Sequence, residues 1–152
     1  MKYYKIVVEI DGKLLSASAA WIPPSLWENR IVEYKINNWT KPKIRSKLFA
    51  FEDATRAKVF ARESYPNDLK ITPQLYECKL QNPLKTIVAG YMPHFHNSDP
   101  VKSFWESELG MKLFSGIELV GNDFYTSSTI TCLPAPIGTL VADAIKLKKK
   151  VE

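Results

Sequence analysis

The stretch from Leu48 to Asn82, where LFAFEDATRAKVFARE runs through a short loop into QLYECKLQN, constrains the fold more than any other part of the chain. Leu48, Phe49, Ala50 and Phe51 form an apolar run of strand length. Ala54, Ala57, Val59, Phe60 and Ala61 recur at spacings that mostly share one helical face, and Leu75, Tyr76, Cys78 and Leu80 make a second strand. The unit reads as strand, helix, strand. Asp53 stands where its carboxylate can accept from the free amides of the first helical turn, so the helix is expected from Ala54 to about Ser64. Tyr65-Pro66-Asn67-Asp68 ends it. This hub is apolar and carries no catalytic signature.

A chain of 152 residues with 45% hydrophobic content can bury one core of ordinary size, and two would be cramped. One domain follows. Lysine and arginine total 21 against 16 acidic residues, a formal charge of +5. That balance permits attraction to nucleic acid, anionic ligands or acidic protein surfaces, and it argues against a decoy that imitates DNA with carboxylates. Cys78 and Cys132 have no second cysteine at metal or redox spacing, so buried free thiols in a reducing compartment are expected. The opening MKYYKIVVEIDGK has one short apolar run broken by Glu9 and Asp11, unlike a signal peptide or membrane span. The expected location is the cytoplasm.

Residues 2–21 read as a hairpin. Tyr4, Ile6, Val8 and Ile10 alternate with Lys5, Val7 and Glu9, Asp11-Gly12 supplies the turn, and Leu14 to Trp21 returns as a strand of small residues. Small residues there allow either close packing by a neighbour or the floor of a shallow pocket. Ile22-Pro23-Pro24 stops the strand. Arg30 to Ile36 alternates again, with Val32, Tyr34 and Ile36 as the set expected to face the core.

Asn37 to Lys47 is the most basic loop, holding Lys41, Lys43, Arg45 and Lys47 beside Trp39 with no acid. Aromatic and basic groups together bind phosphate and stack on bases in single-strand readers. Trp39 could equally plug the end of the sheet while the cations stay in water. His94 and His96 would share one face of a strand, as some metal sites begin, yet only Asp99, Glu106 and Glu108 stand near as further ligands, so no metal is expected. One histidine could serve as a general acid or base.

Asp99-Pro100 opens a second expected helix, DPVKSFWESELG, with Val101, Phe104, Trp105 and Leu109 as its apolar stripe and Gly110 at its end. Beyond it, 112–114, 117–120, 125–132 and 139–151 read as strand pieces, the last pairing as one strand into the same sheet. The hydroxyl-rich run 126–131 suits either a phosphate or sugar site or an exposed strand face. Phosphate-cradling glycine loops, nucleophile elbows and zinc-protease helices are all missing.

The order KLLSA, VEYKINNWTKP, KLFAFEDATRAKVFA, LYECKL and GTLVADAIKLKKKV resembles a group of small uncharacterised proteins encoded by bacteriophages, over most of the chain except about 88–123. That resemblance implies no particular activity. A weaker similarity is to ADP-ribosyltransferase-like folds, in which a strand such as LFAF precedes an alanine-rich helix and a strand such as LYECKL. Those enzymes need a His or Arg on the first core strand, a hydroxyl or Tyr in the middle and often a late Glu. Here the early strands offer Lys5, Ser16 and Ser18 and no His-Gly pair, a departure from that pattern.

The expected fold is α+β: one domain over 1–152, a mainly antiparallel and strongly bent sheet with one or two packed helices, and residues 88–123 as an insertion. The leading functional expectation is a non-enzymatic phage or mobile-element accessory protein that binds a host factor in the host cytoplasm, such as a component of bacterial defence. One alternative is an ADP-ribosyltransferase-like nucleotide-binding protein or enzyme, with its cleft between the SASAAW strand and the hub. The other is a nucleic-acid-binding protein using the basic loop 39–47. The candidate ligand or partner residues are Trp39, Lys41, Lys43, Arg45, Tyr34, His94 and His96. No catalytic residue, metal, cofactor or membrane contact is expected.

Overall fold

The computed structural model describes residues 1–28, 30–65, 70–91, 100–121 and 132–151. Strand β1 (Tyr3–Ile10) turns at Asp11-Gly12, both at positive φ, into β2 (Lys13–Ser16). The expected return strand stops at Ser16, and Ala17–Ala20 winds as a 3₁₀ turn instead. Ser16 explains the exit. Its amide donates to Val32 O at 3.1 Å and its hydroxyl accepts from Val32 N at 3.0 Å, taking the ladder over to the following segment. Alanine has little strand preference to resist this.

The segment expected as one strand from Arg30 to Ile36 pairs only at β3 (Glu33–Tyr34). Val32 and Tyr34 are buried as expected, but Ile36 is exposed and Ile31 buried in its place. A short β4 (Trp39–Thr40) follows, then β5 (Leu48–Phe51) and helix α1 (Ala54–Ser64), which Asp53 caps by accepting from Arg56 N at 2.7 Å. The hub therefore forms as its residue pattern dictates, and β6 (Pro73–Gln81) completes it.

Next come β7 (Leu84–Lys85), β8 (Val88–Tyr91), α2 (Pro100–Glu106) and α3 (Glu108–Phe114). The single helix expected from Asp99 to Gly110 is in fact two, and Lys112 to Phe114, expected as strand, belongs to the second. Ser107 divides them. Its hydroxyl donates to Phe104 O and accepts from Gly110 N at 3.3 Å, ending one helix and capping the next. Gly110 is an interior residue of α3, where a Cβ would stand 2.2 Å from Phe104 O. Only glycine lets α3 fold back so closely on α2.

The last strands are β9 (Cys132–Pro134), β10 (Thr139–Ala142) and β11 (Ala144–Lys150). The tail expected as one strand is split at Asp143, and its halves serve different neighbours. β10 pairs with β5 and β7, whereas β11 pairs with β6 and β4. On one edge Gln81 faces Ala144, Leu84 faces Val141 and Lys85 faces Leu140, a nearly continuous ladder from β6 into β7. On the other edge β4 and β5 follow one another. Because β5 returns to β1 and β1 pairs with β6, this nine-stranded antiparallel sheet closes on itself.

Three apolar clusters fill the molecule. Val7, Tyr34, Ala50, Cys78, Ala142, Ile145 and Leu147 pack inside the curve of the sheet. Ile6, Val8, Phe51, Ala57 and Leu75 pack beneath α1, with Ala19 of the 3₁₀ turn among them. Both faces of β1 are covered, and Val7 and Val8 are 0% exposed, each side chain contributing about 1.5 to 3 kcal/mol by burial. Phe104, Trp105, Leu109 and Leu113 form the third cluster with Val88 and Leu119. That cluster also takes in Val141 of β10, so β8 and the described residues 100–121 share their core with the sheet.

Substituting Gly110→Ala should destabilise the protein by about 1 to 3 kcal/mol, because backbone rather than a movable side chain blocks the new methyl group. Urea denaturation of both forms measures the difference, and an unchanged midpoint would contradict the assigned packing of α3 on α2.

Candidate functional site

The face of β4, β11 and β6 turned away from the core brings an indole and several lysines together. Strand alternation sends Ile145 and Leu147 inward and leaves Lys146 outward. Lys146 lies directly opposite Trp39 on one side and Lys79 on the other. Trp39, Lys146 and Lys79 thus form one row across three strands, spanning roughly 10 Å at the usual interstrand spacing. The Lys146 ammonium sits 4.9 Å from the centre of the Trp39 ring, a cation–π contact, and Trp39 keeps 39% of its surface open.

A β-bulge extends the row. Leu147 pairs with Cys78, but the next pair is Lys149 with Glu77, so Lys148 is the extra residue. The inserted residue resets the alternation and brings Lys149 onto the face of Lys146. Glu77 beside it pairs with Lys2 at 3.7 Å. Among the described residues no carboxylate comes within ion-pairing distance of Lys79 or Lys146.

The loop residues expected to act with Trp39 are distributed over several places. Lys41 is exposed just beyond β4. Lys43 lines a separate groove of about 260 Å³, with Lys13 and Glu33 over a floor of Leu15, Trp27 and Ile31. Arg45 lies over the ring of Phe114, 4.3 Å from its centre. Lys47, expected in water, is buried and pairs with Asp143, whose other carboxylate oxygen accepts from Asn82 Nδ2 at 2.8 Å. Partial burial pushes the Asp143 carboxyl up, the bonds from Lys47 and Asn82 outweigh this, and its pKa ends below the ordinary value. A shallow groove of about 490 Å³ opens beside this pair, bordered by Phe114 and Gly116.

Tyr34, a candidate ligand or partner residue as well as a core one, is 2% exposed inside the core, where no ligand reaches it. Its hydroxyl has no partner in good hydrogen-bonding geometry; burial dominates and raises its pKa, against an opposing pull from the nearby Ser16 side chain. The site expected for a nucleotide cleft is occupied by Ala19, Ala57, Phe60 and Ala61. Tyr65 fastens that packing by donating to Ala17 O at 2.6 Å. His94 and His96 lie outside the described residues, as do Asp99 and the hydroxyl run 126–131. Among the described residues no three His, Cys, Asp or Glu side chains gather as a metal site, and no helix is long and apolar enough to cross a membrane. Cys78 is a buried free thiol whose pKa burial pushes up to about 12, whereas Cys132, also expected to be buried, is only half-buried.

One buried group was not anticipated. Lys5 belongs to the inward set of β1, and its ammonium donates to Phe49 O at 2.6 Å and lies 5.4 Å from the centre of the Tyr34 ring. Burial lowers its pKa from 10.5 to about 8, against a small opposing pull from Cys78. Lys79, Lys146 and Lys149 were missed as partners of Trp39. The only trace of Lys146 and Lys149 in the sequence was the IKLKKK run from Ile145 to Lys150, which reads equally well as a solvated lysine stretch, and nothing near Lys79 pointed to Trp39.

Comparison of the chain with protein-family models, curated proteins and solved structures returns no match.

The lowered Lys5 pKa has a definite sign. Below pH 8 both folded and unfolded chains hold the proton, and the folded state bears the full cost of burying the charge. From about 8 to 10.5 the folded chain releases it first, so wild type gains stability relative to Lys5→Met by up to about 3 kcal/mol. Comparing the two proteins isolates Lys5 from the tyrosines and Cys78, which titrate in both. Urea titrations at pH 7 and pH 10 measure it, and a pH-independent difference would show that the amine is hydrated.

Proposed function

We propose that this protein is a non-enzymatic binding protein whose ligand is nucleic acid, held on the face of β4, β11 and β6. The observation that carries the reading is the direct pairing of Lys79 with Lys146 beside an open Trp39. Like charges opposite each other in a ladder cost stability, and no described carboxylate lies within ion-pairing distance of these two, the nearby Glu77 being paired with Lys2. A row that weakens the fold and gathers positive charge suits an anionic polymer outside the chain. Lys41 and Lys149 widen it, and the net charge of +5 favours encounter.

The phage-type resemblance supports a second reading, an accessory protein that acts on a host factor such as a defence component. The same face would then meet an acidic protein surface. The two readings separate experimentally, because a nucleic acid binds as a pure oligonucleotide without any host protein.

Lys79→Glu provides the test. It should weaken oligonucleotide binding about tenfold or more at low salt and also raise stability by about 0.2 to 1 kcal/mol, since a carboxylate would then face Lys146 across the ladder. Wild-type affinity should fall with salt at a log–log slope near −3, as about four lysines meeting phosphates require. Fluorescence anisotropy against labelled oligonucleotides, alongside thermal melts, reads both effects. A stabilised variant with undiminished binding, or no wild-type binding at about 50 mM salt, would remove the proposal.

A further inference from the structure

Resting on the nucleic-acid reading above, we propose that this face selects single strands over duplex, with Trp39 as the platform on which an unpaired base stacks. Four tryptophans occur in the chain, and their surroundings differ. Trp105 is buried against Phe104 in the third core cluster, and Trp27 donates its Nε1 hydrogen to Ile22 O at 2.6 Å. Trp21 is exposed but packs on Tyr65, away from the lysine row. Trp39 alone among these stands both open and in line with Lys146 and Lys79.

Its position on β4 has consequences for recognition. β4 is a two-residue edge strand whose pairing neighbour is β11, so the indole has a paired strand on one side only. An indole offers a π-face and a single donor, which suits stacking on any base rather than reading one base edge. In a duplex the bases are stacked on one another and present only their edges in the grooves, so this platform gains nothing from a paired strand. A single strand can turn a base onto the ring while its phosphates meet Lys146, Lys79 and Lys149. The row spans roughly 10 Å across the strands, which suits a footprint at the short end of the known range, about four nucleotides. RNA and DNA single strands share this chemistry.

The test uses the full chain and labelled oligonucleotides of equal length: oligo-dT, oligo-U and a mixed-sequence duplex, at one salt concentration. Both single strands should bind about tenfold or more tightly than the duplex. Trp39→Ala should reduce single-strand affinity roughly 5- to 100-fold while leaving duplex affinity within about twofold. Trp39→Phe keeps a stacking ring and should retain most of the affinity, which guards against misfolding of the alanine variant, and Trp21→Ala should retain all of it. A strong preference between oligo-U and oligo-dT, with both still tighter than the duplex, would mean that the sugar or the thymine C5-methyl group is sensed as well, and oligo-dU separates these two. Equal binding of duplex and single strands, or an equal loss of both in Trp39→Ala, would overturn this inference while leaving the nucleic-acid reading intact. No binding to any of the three would overturn both.

Discussion

Closure of the sheet depends on Asp143, the one residue between β10 and β11. At this point a continuous stretch of chain stops pairing with β5 and starts pairing with β4, while its other edge passes from β7 to β6. Three contacts hold the corner. The Asp143 amide donates to Gln81 O at 2.9 Å, and its carboxylate accepts from Lys47 and from Asn82. The ion pair joins a buried ammonium to a carboxylate that is 40% exposed, so it escapes the full penalty of burying two charges. It also draws the end of the basic loop down onto the sheet, which separates Lys47 from Lys41 and Lys43 and limits what that loop can present to a ligand.

The interior tolerates polar groups that a minimal core would omit. Lys5 satisfies one hydrogen of its ammonium with the Phe49 carbonyl and rests near the face of Tyr34, while the Tyr34 hydroxyl goes unpaired. Each is expensive to bury. Small residues in the same cluster, Ala50 and Ala142, let β1, β5 and β10 approach closely enough to enclose these side chains. The long lysine stem packs as an apolar group along the sheet, which offsets part of the cost.

On the outer face the balance between stability and binding runs the other way. An exposed ladder is stabilised by alternating charge, yet Lys146 has a lysine on one side and an indole on the other. The bulge at Lys148 adds Lys149 to the same surface. Helix α1 covers β1, β5 and β6 toward the other end of the sheet, and the α2–α3 pair packs on β8 and β10, which leaves the β4–β11 end open to solvent. The face is therefore basic because of register and open because of helix placement.

Local signals were strong enough to be read wherever a side chain acts on its own neighbours. The hub, the Asp53 cap, the Asp11-Gly12 turn and the α+β class all rest on spacings within one segment. Segments whose partners are distant in sequence were misjudged. SASAAW left its strand because Ser16 bonds Val32, the second helix broke at Ser107 so that Gly110 could pack on Phe104, and the tail split at Asp143 because β5 and β6 lie on opposite flanks of it. The same limit governs the site. The sequence by itself determined that Trp39 stands in a basic loop and that the chain ends in alternating lysines, since both are matters of composition along the backbone. Tertiary structure alone decided that Trp39, Lys146 and Lys79 meet in one row while Tyr34 and Lys47 turn inward, because cross-strand register joins residues about 107 and 67 positions apart and no local pattern encodes that pairing.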